Sequence, residues 1–198
     1  TPAVREAIAA IPLDQAAALA TIGVERLPPP AGVGYFERLM ARPTLTINGL
    51  TSGYQGPGNK TVLPSTAIAK LDMRLVPDQR ADDIYAKVVA HVEKHAPDIE
   101  VIRQGSMEPS STPLDHPYAE PVRRAVERGF GQRPIDIPLL GGSLPDEVWT
   151  RSLGLPSFLA PYCNADERNH APNENMELER YFAGIRTAAS LFAELASV

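Results

Sequence analysis

The sequence is short of cysteine. Cys163 stands alone among 198 residues, which excludes an internal disulfide framework and fits a reducing compartment. Long apolar runs are also missing. None approaches the ~20 residues that span a bilayer, and the N-terminus has no signal-peptide pattern, so a cytoplasmic chain with no membrane partner is expected. Charge of one sign is nowhere concentrated. The net charge is -5, and Lys and Arg are scattered, which argues against a nucleic-acid partner. The usual catalytic signatures are absent too. There is no HExxH, no His-x-Asp, no adjacent Glu pair and no G-x-S-x-G. The Gly-rich stretch 51–59 has neither the glycine spacing nor the Lys-Ser/Thr of a P-loop.

What is present is ordinary in bulk. Hydrophobic residues make up 43% and charged residues 22%, enough for one large domain or two small ones with a buried core. Proline, at 20 residues, is about twice as common as usual. It marks joints at 27–32 (LPPPAG), 56–58 (GPG), 109–112 (PSST) and 170–172 (HAP). The chain opens on Thr1, so either a methionine has been removed or the sequence is a piece of something longer.

Residues 1–25 read as short helices broken at Pro12, followed by a stiff proline-rich linker. Leu45 and Ile47 alternate with polar neighbours and predict a strand over 44–50. Residues 67–77 alternate more cleanly. Ala67, Ala69, Leu71, Met73 and Leu75 share one face, while Ile68, Lys70, Asp72 and Arg74 share the other, which predicts a half-buried strand. Asp82 and Asp83 suit a helix start, with Ile84, Val88 and Val92 at helical spacing. Residues 99–105 read as the next strand, completing a β-α-β unit. A joint falls at 106–115. Tyr118, Val122, Val126 and Phe130 then mark a helix. Strands are expected at 134–140 and 156–162, with a tight loop at 141–145 and a short helix at 146–153 between them. A last helix starts near Asn175, with Leu178, Phe182, Ile185, Ala189 and Phe192 as its apolar stripe. The chain is thus α/β in two pieces, split near residue 115.

Few residues carry chemistry. His170 lies in a polar loop, and imidazole is a good zinc ligand when a neighbour fixes its second nitrogen. Asn164, Asp166, Asn173 and Glu174 are near enough in sequence to do so. The bland alternative is a solvated loop histidine. Arg74, on the polar face of its strand, can grip a carboxylate bidentately; the alternative is a surface ion pair with Asp72. Gly141, Gly142 and Ser143 offer backbone N–H groups and a hydroxyl for an anion, or form a plain turn. His91 and His95, four apart on a helix, can chelate a metal, but they fall on its polar side and read as a solvated face. Cys163 reads as an inert thiol.

Three stretches together point further. Residues 42–79 (RPTLTINGLTSGYQGPGNKTVLPSTAIAKLDMRLVPDQ), 141–145 (GGSLP) and 170–174 (HAPNE) come in the right order and at the right separations. They resemble the carnosinase-type dipeptidases, within the dizinc metallopeptidase and amidohydrolase family that includes glutamate carboxypeptidase, aminoacylase and acetylornithine deacetylase. The resemblance implies the C-terminal half of a two-domain enzyme. Residues 1–115 would be part of a ferredoxin-like α+β lid and dimerisation domain, and 116–198 the closing α/β piece of the catalytic domain. By motif, His170 matches a metal ligand, Arg74 the arginine that binds a substrate carboxylate, and Thr61, Gly142 and Ser143 substrate-contacting positions. The family's cofactors are two divalent metals, zinc first, with manganese or cobalt as alternatives, and this chain would supply one ligand. The general base and the remaining ligands belong to the family's first half and are not in this sequence.

Two functional readings follow. In the first, the chain is part of a metal-dependent hydrolase that cleaves an amide bond in a small peptide or N-acyl amino acid with a free carboxylate. It would act as a homodimer through the lid, need the missing N-terminal half, and be inactive alone. In the second, it is a non-catalytic association module.

Overall fold

The computed structural model describes residues 2–27 and 32–197. Of the proline-rich linker expected around 27–32, residues 28–31 lie outside the described residues. The fold is mixed α/β with one small sheet of two strands. In chain order the elements are α1 (Pro2–Ala9), α2 (Gln15–Thr21), α3 (Tyr35–Ala41), β1 (Thr44–Ser52), β2 (Ala67–Arg74), α4 (Ala81–His95), α5 (Ala119–Phe130), a π-helical turn (Val148–Ser152) and α6 (Leu178–Leu195). They fall into two compact units, one of residues 1–13, 111–138 and 146–198, the other of residues 14–110 and 139–145.

In the second unit the two early strands form an antiparallel hairpin, with Thr44 opposite Arg74 and Ser52 opposite Ala67. The register slips between Ile47 and Gly49, so Asn48 is the extra residue of a bulge. The bulge has a use. Leu50 would otherwise fall on the face opposite Leu45 and Ile47; with one residue inserted it joins them. Leu45, Ile47 and Leu50 then pair with Met73, Leu71 and Ala69. The expected half-burial does not follow, because Leu45, Ile47, Leu50 and Leu71 are all exposed. No other element packs on either strand among the described residues, and alternation alone cannot supply a covering layer.

The strand expected at 99–105 is not one. Its polar groups go to α4 instead of a ladder. Tyr85 donates from its hydroxyl to the Val101 carbonyl at 3.3 Å. The Arg103 guanidinium lies 5.2 Å from the Tyr85 ring centre and pairs with Asp82 at 2.8 Å. The Glu108 carboxylate accepts from Ala81 N at 3.2 Å. The segment is thus tied to the start of the helix, whose Ile84, Val88 and Val92 are half-buried.

In the other unit α5 and α6 cross on small residues. Pro121, Ala125 and Gly129 of α5 are buried, as are Ala183, Gly184 and Thr187 of α6. A side chain at Gly129 would collide with the Thr187 hydroxyl and the Ala183 carbonyl, so the close approach requires glycine. Beside the crossing, buried Glu194 receives Arg124 at 2.6 Å and Arg128 at 2.7 Å. The expected apolar stripe of α6 is not the buried one. Leu178, Phe182, Ile185 and Phe192 face outward, Phe192 being 80% exposed.

Residues 134–140 and 156–162 do not form strands, and the first contains a bend at 138–139. Their apolar patterns are real, but no ladder partner is present among the described residues, and a strand is defined by its neighbour's hydrogen bonds. The short helix expected at 146–153 is a single π turn, closed by Leu153 N to the Val148 carbonyl at 3.0 Å. The last helix starts at Leu178, with Glu177 as its N-cap, three residues later than expected.

Candidate substrate and metal-binding residues

Arg74 closes β2 at the end of the ladder, with Asp72 on the same face two residues earlier. The Asp72 carboxylate sits 3.1 Å from Arg74 Nε. Arg74 Nη1 donates to Ser143 Oγ at 2.7 Å. Both side chains of the ion pair are about half exposed (50% and 45%), so the pair adds little stability. What it does is aim the guanidinium. With Nε held by Asp72 and Nη1 by Ser143, the fork keeps Nη2, which makes no hydrogen bond among the described residues, for an arriving anion.

Ser143 reaches Arg74 from 69 positions away because its loop is seated on α3. A Cβ at Gly141 would lie 2.6 Å from the Leu39 carbonyl oxygen and 2.8 Å from a Leu39 methyl. Glycine lets the backbone settle against the end of that helix, and Gly142 and Ser143 then follow in the open. The two predictions for Arg74, a carboxylate grip and a pairing with Asp72, are therefore not exclusive: the pairing is present and leaves a donor over.

Thr61 is not brought to this pair by any hydrogen bond among the described residues. It lies in the exposed loop between the strands. That loop leaves the hairpin at the Ser52–Ala67 end, and Arg74 is at the other end, roughly 23 Å along the strand.

His170 belongs to the first unit. It occupies an exposed loop in a left-handed conformation, φ 61°, between Arg168 at 58° and Asn173 at 63°. Three such non-glycine residues in six mark a tightly specified loop. The cause is a pair of asparagines. Buried Asn164 donates to Asp166 Oδ1 at 2.7 Å and to Asn175 Oδ1 at 3.0 Å, and accepts from Glu177 N at 3.0 Å. Asn175 in turn donates to the carbonyls of Asp166 and Asn173 at 3.2 and 3.3 Å. The hydrogen bond from Asn164 holds the Asp166 carboxyl below its usual range. These neighbours do not fix the imidazole of His170, contrary to the expectation. They order the loop that presents it. Asn175 was missed as a site-shaping residue; an asparagine just ahead of a helical pattern is the signal that could have found it.

Burial raises the Cys163 thiol above its usual range, with Glu167 adding to the shift, so this cysteine is protonated and unreactive. No group of three or more His, Cys, Asp or Glu residues able to hold a metal ion occurs among the described residues. At the His170 loop, a single histidine with no second ligand beside it among the described residues does not fit a metal ion held there by this chain alone.

The sequence profile of the peptidase dimerisation domain matches residues 4–100. The Cys-Gly metallodipeptidase of Schizosaccharomyces pombe is 32% identical over 165 residues, covering 79% of this chain and 34% of that protein. The human Beta-Ala-His dipeptidase is 29% identical over 171 residues, covering 79% of this chain and 32% of that protein. Among solved structures, an M20 family metallo-carboxypeptidase from Sulfolobus solfataricus is similar with a TM-score of 0.86 at 26% identity, over 96% of this chain and 44% of that one. Human carnosine dipeptidase 1 shares the fold, with a TM-score of 0.79 at 24% identity. The chain spans about a third of the length of the curated relatives it matches.

Proposed function

We propose, from the premise that this chain is homologous to part of the M20-family metallopeptidases, that it is the substrate-gripping portion of a metal-dependent dipeptidase. The observation that carries the reading is the 2.7 Å hydrogen bond from Arg74 to Ser143. Two residues far apart in sequence meet on one exposed face, with a guanidinium donor left over. That is an arrangement for binding a carboxylate.

In this reading Arg74 binds the free carboxylate of a small peptide or N-acyl amino acid. Asp72 aims the guanidinium, and Ser143, with the Gly142 backbone, completes the cradle. Thr61, whose loop leaves the far end of the hairpin, is proposed as a substrate contact on its motif alone. His170 contributes one ligand to a metal pair, zinc first, whose other ligands and general base come from outside this chain. Metals in such sites act as Lewis acids towards the scissile carbonyl. Residues up to about 115 serve as lid and dimerisation domain, the remainder as the closing part of a catalytic domain, in a cytoplasmic homodimer. No helix among the described residues is long and apolar enough to cross a membrane.

The exposed apolar stripe of α6 and the exposed hairpin face are what an uncovered portion of a larger fold would show.

The test is Arg74→Ala in the chain joined to the N-terminal portion its relatives carry. A charge-assisted hydrogen bond contributes about 1.5–3 kcal/mol. So kcat/KM should fall roughly tenfold to a hundredfold for substrates with a free carboxylate, mainly through KM, and change little for their amides. An equal loss on both would remove Arg74 from the site. The second reading, an association module without chemistry, draws on the match to a peptidase dimerisation domain and the missing metal cluster. A stable homodimer that gains no hydrolysis when joined to the N-terminal portion would favour it.

A further inference from the structure

We infer that His91 and His95 form a second, independent metal site: a bidentate clamp at the end of α4 for a divalent transition-metal ion with tetragonal preference, Cu(II) or Ni(II). The pair takes no part in the carboxylate grip and is separate from the hydrolase reading.

Four observations meet here. The residues are one helical turn apart and both exposed, with His95 on the last turn of a 15-residue helix and His91 on the turn before it. Residues four apart on a helix lie over one another on the same face. The two ring centres are 4.5 Å apart, with planes inclined by 40°. Finally, the helix ends at His95, so the negative end of its dipole faces any cation bound there.

Two imidazoles one helical turn apart can reach one ion through metal–nitrogen bonds near about 2.0–2.1 Å. Copper(II) and nickel(II) suit tetragonal nitrogen sites, and copper(II) binds nitrogen most strongly in the divalent series. Water would fill the remaining positions. Lys94 lies next to the pair in sequence on the last turn, opposing the charge and favouring an ion whose affinity comes from nitrogen bonding over one held by carboxylates.

The experiment is calorimetric titration of the 198-residue chain with Cu(II) and Ni(II), beside His91→Ala, His95→Ala and the double variant. Circular dichroism verifies that α4 survives. One equivalent should bind, and each single variant should weaken binding about a hundredfold, because the second imidazole acts at high effective concentration. The melting temperature of the parent chain, but not of the double variant, should rise with metal. For copper, electron paramagnetic resonance should show a tetragonal signal with two nitrogens, lost in the double variant. Binding unchanged in the variants, or a single variant as tight as the parent, would overturn the assignment. So would parent affinity no better than one free imidazole.

Discussion

Arg74 is aimed by partners on two sides, and the aim depends on a glycine that touches neither. A Cβ at Gly141 would press on the Leu39 carbonyl, which is backbone and cannot swing away. Gly141→Ala should therefore push the loop off α3 and draw Ser143 from Arg74. Overpacking of this kind costs about 1–3 kcal/mol. Urea unfolding should show that loss, and the joined enzyme should show a raised KM for substrates with a free carboxylate. A second case is Asn164, with 4% of its surface exposed. Asn164→Ala strands Asp166, Asn175 and the Glu177 amide, at a cost of about 1–3 kcal/mol. The pH sign follows from Asp166. Its folded-state pKa is lowered, so its contribution is present above the unfolded value and lost as pH falls through the folded one. The urea midpoint of the parent should drop in acid, below the ordinary carboxylate range, and that part of the drop should be missing in Asn164→Ala. Such dependencies are hard to read from sequence. The motifs gave Arg74, Ser143 and His170 as candidates, but that Arg74 and Ser143 touch, and that asparagines shape the His170 loop, is tertiary information.

Elements defined by their own residues were legible. The clean alternation at 67–77 became β2, and the Asp82–Asp83 start with Ile84, Val88 and Val92 became α4. Elements defined by a neighbour were not. Residues 99–105, 134–140 and 156–162 have strand-like patterns without a ladder partner among the described residues, and the first spends its polar groups on α4. Helix α6 shows the same limit. Its sequence displays two faces, one of large apolar residues and one of small ones, and periodicity favours the large. Packing against α5 chose the small, because Gly129 lets α5 approach Ala183 and Thr187 closely, while Gly184 makes room for the Tyr162 ring. The large face remains bare. If further protein covers it, Phe182→Ser with Phe192→Ser should change the stability of the chain by no more than about 0.5 kcal/mol, yet weaken association with the N-terminal portion severely. A large loss of stability in the chain alone would mean the stripe is already buried in solution. Unchanged association would mean something else covers it, or nothing does.

At the scale of the whole molecule, the chain is similar to a part of larger proteins. Its relatives are metallodipeptidases in name, and it spans about a third of their length. It carries the Arg74–Ser143 pair, proposed above as a carboxylate grip, in one unit and His170, on a loop ordered by asparagines, in the other. Chemistry would then require both portions, and the histidine would matter only when they are together. The most direct test is hydrolysis of a dipeptide, with zinc supplied, by the 198-residue chain alone, by the chain joined to the N-terminal portion its relatives carry, and by the joined form with His170→Ala. The account predicts no hydrolysis by the chain alone, hydrolysis by the joined form, and loss of nearly all of it in the variant. Hydrolysis by the chain alone, or full activity after His170→Ala, would contradict it.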